Sequence, residues 1–341
     1  MTLWEEIHQQ PETLQRLAAT GRSTAEEVAR YIHSTSPAFV VIAARGTSDN
    51  AARYAKYLWG ARNGMVVALA APSLISTPGP PPRLAGGLVV AISQSGRSPD
   101  VVGVVEEAAA QGRPTVAITN DPGSPLAAAA EVCFDLGVGE ERSIAATKTY
   151  TAELAAVALV SDALRGEVAT LDAVPRSVES VLADSASIAG VAEAFARDRF
   201  AAVLGRGVHY ATAFEWALKL QELASVLAHA YSTADFAHGP LALVTRGFPV
   251  LAVTSAGPLH ARARALLERV SAELGGRLAV ISDDRSMGDL AEGSIVIPVV
   301  AEWLSPIVAT VAAQLFTYHL TVAKGSDPDA PPTIAKVTET L

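Results

Sequence analysis

Short runs of β-branched and aliphatic residues alternate along the chain with longer alanine-rich stretches whose apolar positions recur every three or four residues. That alternation is the pattern of βα units, in which strands buried on both faces read as continuous apolar runs and helices cover them. In the first half it predicts strands at 39–46, 65–70, 87–94, 114–120 and 132–137, with helices at 49–62, 98–112 and 147–165. In the second half it predicts strands at 200–207, 248–255, 278–284 and 294–300, and one apolar helix over 210–228. The halves also match each other: VIAARGTS aligns with AAVLGRG, VAISQSG with LAVTSAG, and VAITNDPGSPLAAAAEVCFDL with LAVISDDRSMGDLAEGSIVIPV. A duplication of this kind predicts an α/β chain with two parallel-sheet domains, 1–175 and 190–341, joined by a polar, helix-prone linker at about 166–198.

Length agrees, because 341 residues, half of them hydrophobic, exceed one small core and suit two domains of roughly 150 residues each. Charge narrows the partners. With 26 basic against 35 acidic residues and no Lys/Arg-rich run, a broad basic face for nucleic acid or an anionic membrane is not expected. The single cysteine, Cys133 in EVCFDLG, excludes an intrachain disulfide and a Cys-based metal site and reads as a core thiol. The N-terminus is polar and acidic, and no apolar run reaches the ~18 residues a membrane span needs, so the expected location is the cytoplasm.

Candidate chemistry starts in the loop SQSGRSPD. In open parallel sheets, ligands sit beyond the carboxyl ends of the strands, where Ser93, Gln94, Ser95 and Ser98 fall, together with Ser48 of RGTSDN. Ser98, Pro99 and Asp100 read as N-cap, N1 and N2 of the next helix. Hydroxyls and free backbone N–H groups at a helix N-terminus hold an anion without a lysine, so the loop reads as a phosphate site. The competing reading is a plain turn and cap. Three observations weigh against it: Thr47 and Ser48 end a neighbouring strand in the same style, Thr147 and Lys148 open another helix, and the counterpart VTSAGP has lost most of the hydroxyls. Other templates fail. There is no G-x-x-x-x-G-K-S/T and no G-x-S-x-G, LGRGVHY lacks the third glycine of a dinucleotide fingerprint, and the seven histidines show no metal-ligand spacing. On the apolar helix over 210–228, Glu215, Lys219 and Glu222 share one stripe. Buried charges need partners or a task, and the residues alone leave a structural salt bridge open.

The set RGTSDNA, SQSGRSPD, NDPGSPLA, AATKTYTAEL, LGRGVHYATAFEWALKLQELA, FAHGPLAL and KGSDPDAPPTIAKVTETL resembles the double sugar-isomerase (SIS) proteins over nearly the whole chain. It is most similar to the isomerase half of glutamine:fructose-6-phosphate amidotransferase (glucosamine-6-phosphate synthase). The resemblance implies two tandem SIS domains, each a flavodoxin-like parallel sheet flanked by helices. It places Ser48, Ser93, Gln94, Ser95 and Ser98 on sugar-phosphate-binding positions, with Thr47, Arg97, Ala145 and Thr147 as further substrate contacts. It makes Lys219 and Glu222 catalytic, while Glu215 reads as a structural salt-bridge partner. It implies that His238 opens the sugar ring from across the interface of a homodimer, and that the amine of Lys336 meets the open-chain carbonyl.

Departures from the synthases change the expected reaction. No segment resembles their glutaminase domain, whose first-residue cysteine releases ammonia. Arg97 and Ser98 replace the E-T of S-Q-S-G-E-T, and Ala146 stands where the synthases carry a serine. SQSGRSPD with RSIAATK is similar to the stand-alone SIS-type glucosamine-6-phosphate deaminases. The implied reaction is conversion of glucosamine 6-phosphate and water to fructose 6-phosphate and ammonia, with no metal or organic cofactor. The alternatives are another phosphosugar isomerase, a fructosamine-phosphate deglycase, an ammonia-dependent synthase, a non-catalytic phosphosugar sensor, and a structural or interaction protein.

Overall fold

The computed structural model describes residues 1–167 and 171–331. Its chain runs through α1 (Leu3–His8), α2 (Gln10–Thr35), β1 (Phe39–Ala43), α3 (Gly46–Asn63), β2 (Val67–Leu69), α4 (Ser73–Ser76), β3 (Gly87–Ser93) and α5 (Pro99–Ala110). It continues with β4 (Thr115–Thr119), α6 (Pro125–Ala129), β5 (Val132–Asp135), α7 (Lys148–Leu164), α8 (Val174–Ala183), α9 (Ser185–Ala194), β6 (Phe200–Gly205) and α10 (His209–Ala224). The remainder is β7 (Leu227–Ser232), α11 (Thr233–Ala237), β8 (Pro249–Thr254), α12 (His260–Glu268), β9 (Arg277–Ser282), β10 (Gly293–Val296) and α13 (Ser305–Ala323).

Two compact units result. One holds residues 12–141 and 148–172; the other holds residues 1–11, 142–147 and the described chain from Ala173 on. The first unit has a five-stranded parallel sheet in the order β2-β1-β3-β4-β5, and the second one in the order β7-β6-β8-β9-β10. Counted within each unit, both are the doubly wound order 2-1-3-4-5, so the expected α/β architecture of paired flavodoxin-like sheets is what the chain adopts. The central strand β3 is buried at all seven positions, which is why its sequence is an unbroken apolar run. In the first unit, Val89 and Ala91 of β3 pack with Val101, Val104 and Val105 of α5. In the second, Val250 and Ala252 of β8 pack in the same way with Leu267 of α12 and Val270.

Three local readings differ from expectation. The apolar stretch 210–228 is not one helix: α10 stops because Ser225 takes the left-handed conformation (φ 52°, ψ 38°), and the following residues form β7 beside β6. The alternation of exposed Leu227 and His229 with buried Ala228 and Ala230 is the strand period, masked by alanines that suit either element. Cys133 lies on β5 only half-buried, so it is not a core thiol, although burial and Asp135 still raise its pKa. Finally, α13 is 19 residues long and apolar enough to cross a membrane, because its isolated Thr, Gln and His residues interrupt the run without lowering its mean hydropathy far. It is 78% buried inside the protein, packed on α8, α9 and α10 as a core helix.

Candidate functional site

The residues singled out from the sequence fall into two sets, one in each unit. In the first unit, β1 and β3 are neighbours, and the chain leaves both at their carboxyl ends into α3 and α5. Arg45, the N-cap of α3, reaches Asp100 in the first turn of α5 at 2.5 Å, and Asp100 is 2% exposed. This pair ties the two helix starts together. Gly96 has φ 61°, and a Cβ there would lie 2.1 Å from Ser124 Oγ, so the serine loop closes tightly on its neighbour only because this residue is glycine.

The loop hydroxyls give oxygen lone pairs to the turn but not their protons. Ser93 Oγ accepts the Gly96 N–H at 3.2 Å, and Ser95 Oγ accepts the Arg97 N–H at 3.3 Å. Ser98 is the N-cap of α5, as expected, yet its side chain makes no capping hydrogen bond. No acceptor among the described residues takes the proton of any of the three hydroxyls. Gln94 is half-buried and its amide donates to Glu141 at 3.3 Å. Arg97 turns outward to Asp121 at 3.0 Å, with 62% of its side chain exposed. Thr47 is half-buried at the start of α3, and Ser48 is buried and donates to Glu153 at 2.7 Å.

Sequence reasoning missed the acids behind this set. Glu153 lies on α7, a helix buried on almost every side, and is 1% exposed. Glu141 accepts from the Thr149 N–H at 3.1 Å, near the N-terminus of α7, where a carboxylate is also favoured by the positive end of the helix dipole. Lys148 is buried, and its amine donates to the Glu140 carbonyl at 2.6 Å. No local pattern singles out Glu141 or Glu153, because each meets a partner distant in sequence.

In the second unit, Ala145 and Thr147 are each 2% exposed in the segment 142–147. The carboxylate of Glu6, fully buried, holds that segment by accepting the N–H groups of Arg142 at 2.5 Å and Ser143 at 3.2 and 3.3 Å. The charged stripe of α10 is a real cluster. Lys219 Nζ lies 2.5 Å from Glu222 Oε2 and 3.4 Å from Glu215 Oε1. Side-chain exposure is 3% for Lys219, 2% for Glu215 and 25% for Glu222, so only Glu222 reaches solvent. Burial alone would push the Lys219 ammonium down, but the charges of Glu215 and Glu222 outweigh it and hold the pKa above the ordinary lysine value. The lysine therefore stays charged near neutrality and fixes the Glu222 carboxylate. His238, the C-cap of α11, is exposed, and no hydrogen bond joins it to Glu222 among the described residues. Lys336 lies outside the described residues. Among the described residues, no group of three or more His, Cys, Asp or Glu side chains is arranged to hold a metal ion.

Comparison with known proteins agrees with this architecture. The SIS domain family matches residues 35–161 and 195–324. The glutamine-fructose-6-phosphate aminotransferase (isomerizing) of Thermus thermophilus is 36% identical over 262 residues, covering 73% of this chain and 43% of that protein. The corresponding enzyme of Thermococcus kodakarensis is 31% identical over 356 aligned residues, covering 97% of this chain and 57% of its own. The chain thus spans about half the length of these curated relatives. The C-terminal domain of glucosamine-fructose-6-phosphate aminotransferase from Francisella tularensis superposes with a TM-score of 0.86 at 27% identity, over 96% of this chain and 97% of that one.

Proposed function

The chain belongs to the SIS-domain family, and from that premise we propose that it is a phosphosugar isomerase that converts glucosamine 6-phosphate and water to fructose 6-phosphate and ammonia. The observation that carries the reading is the α10 cluster, a buried and charged Lys219 that holds the one solvent-reaching carboxylate, Glu222, in a fixed orientation. A phosphosugar sensor needs the hydroxyl loop but has no use for that pair.

In the proposed reaction, Ser93, Ser95 and Ser98 donate to the substrate phosphate, and His238 of a second copy opens the sugar ring to the C1 aldehyde. Glu222 removes the C2 proton, giving an enolamine, and returns a proton to C1. The product is a C2 ketimine; water adds to its carbon, the C–N bond breaks, and ammonia leaves with fructose 6-phosphate. Lys219 holds the Glu222 carboxyl in place through both transfers and stabilises its negative charge before the first and after the second, and Lys336 meets the carbonyl end of the open chain. A positioned base of this kind contributes about 10²- to 10⁴-fold to the rate.

The test is to mix purified protein with glucosamine 6-phosphate, without glutamine, and follow ammonia and fructose 6-phosphate together. Matched appearance of both is expected, and it should vanish in Glu222→Gln while phosphosugar binding persists. Fructose 6-phosphate binding without either product would make the reaction assignment wrong and leave the pocket standing.

A further inference from the structure

The segment 142–147 has no regular secondary structure, yet Ser143, Ala145 and Thr147 are buried, so the fold must supply partners for its backbone. The residues on either side, Glu141 and Lys148, belong to the first unit, whereas the segment belongs to the second, the unit of Lys219, Glu222 and His238. Two anchors hold it there. At one end Glu6 of α1, 0% exposed, takes the Arg142 N–H on Oε1 at 2.5 Å and shares the Ser143 N–H between Oε1 and Oε2 at 3.3 and 3.2 Å. At the other end buried Gln314 of α13 donates to the Thr147 carbonyl at 3.3 Å, and its amide oxygen accepts from buried Gln10 at 2.8 Å.

The helix that carries Glu6 is itself fixed. A capping box of Thr2 and Glu5 closes the N-terminus of α1, and Asp329 accepts the Leu3 N–H at 2.6 Å. At six residues α1 is too short to be stable alone, so its place in the protein is set by these contacts and passed on through Glu6. We infer that Glu6 is a positioning residue for the reaction: fully buried, it touches no substrate, but it fixes the backbone of 142–147 so that Ala145 and Thr147 meet the sugar chain. The inference rests on the phosphosugar reading above. It puts the segment on the side of proton transfer and not of phosphate binding, because the hydroxyls of Ser93, Ser95 and Ser98 belong to the other unit. The role depends on two acceptor oxygens in fixed places, so substitutions that remove one or both should grade it.

Glu6→Ala removes both oxygens, and Glu6→Gln keeps one, enough for the Arg142 N–H. Three measurements on the full chain follow each variant: turnover of glucosamine 6-phosphate, calorimetry with inorganic phosphate, and hydrogen exchange of the 142–147 amides. Glu6→Ala should speed exchange at Arg142 and Ser143 about tenfold and lower kcat about tenfold, with phosphate affinity within about twofold of the unaltered protein. Glu6→Gln should recover part of both losses, leaving kcat down about threefold. Faster exchange with unchanged kcat would overturn the positioning role, and unchanged exchange would overturn the hold on the segment. Loss of phosphate affinity in step with kcat would overturn the inference too, since general damage to the fold produces that pattern. If Glu6→Ala does not fold, Glu6→Gln decides: a threefold drop in kcat with phosphate binding intact supports the role, and an unchanged kcat overturns it. If the unaltered protein releases no ammonia from glucosamine 6-phosphate, the proposed function fails and the role in the reaction fails with it, while the exchange data still judge whether Glu6 holds the segment.

Discussion

The two units share one strand order, yet the loops in equivalent places do opposite things. In the first unit, the loop between β3 and α5 leaves the protons of Ser93, Ser95 and Ser98 unspent. In the second, the loop between β8 and α12 turns its hydroxyl inward: Ser255 bonds His209 Nε2 at 3.0 Å and receives a bond from Ser305 at 3.3 Å. The helices that follow the first strand of each sheet diverge as well. In the first unit α3 buries small polar groups, Ser48 and Asn50, while α10 in the second buries a lysine with a carboxylate. A fold sets where loops and helix starts converge; the side chains placed there decide between binding, proton transfer and support.

The comparison breaks most visibly at α10. Glu222→Gln should lower turnover about 10³-fold with phosphosugar affinity changed by less than threefold, measured by steady-state kinetics and calorimetry. Retained turnover would return the cluster to a structural role like that of the first unit. Lys219→Met breaks the buried ion pairs that Lys219 makes with Glu215 and Glu222 and should cost about 3 kcal/mol of stability in urea unfolding, because removing one partner of a buried pair is expensive.

His209 sharpens the contrast through pH. Burial pushes its pKa from 6.5 down to about 3, so between those values the unfolded chain binds a proton that the folded chain refuses. This contribution is complete above pH 6.5 and is lost as pH falls, by about 2 kcal/mol between pH 7 and pH 5. Urea midpoints at the two pH values should show that loss in the unaltered protein and a smaller one in His209→Gln. The smallest effects separate the two loops directly. Ser93→Ala should weaken phosphate about tenfold, whereas Ser255→Ala should leave phosphate binding unchanged, although each loses a buried hydrogen bond and costs about 1 kcal/mol of stability.

Much of this was readable from the chain. The strands of both sheets are apolar runs because they are buried on both faces, and nine of the ten appear where the run lengths place them; the exception is β7. Its alanine-rich alternation carries no periodic contrast, and only the left-handed turn at Ser225 separates it from α10. The spacing of Lys219 and Glu222 puts them on one stripe, and their contact follows from helix geometry alone. Glu6, Glu141 and Glu153 were not readable, because each acts on a segment distant in sequence.

By itself, then, the sequence determined the doubled α/β plan, the hydroxyl-rich loop after β3 and the charged stripe on α10, since all three depend on periodicity and neighbours within a few residues. Tertiary structure alone decided where Ser48 sends its proton. Ser48 and Ser93 are the same residue type after adjacent strands, but one meets a buried carboxylate 105 positions away and the other a backbone N–H three positions on. A serine can donate or accept with equal ease, so its chemistry belongs to the partner that folding brings to it.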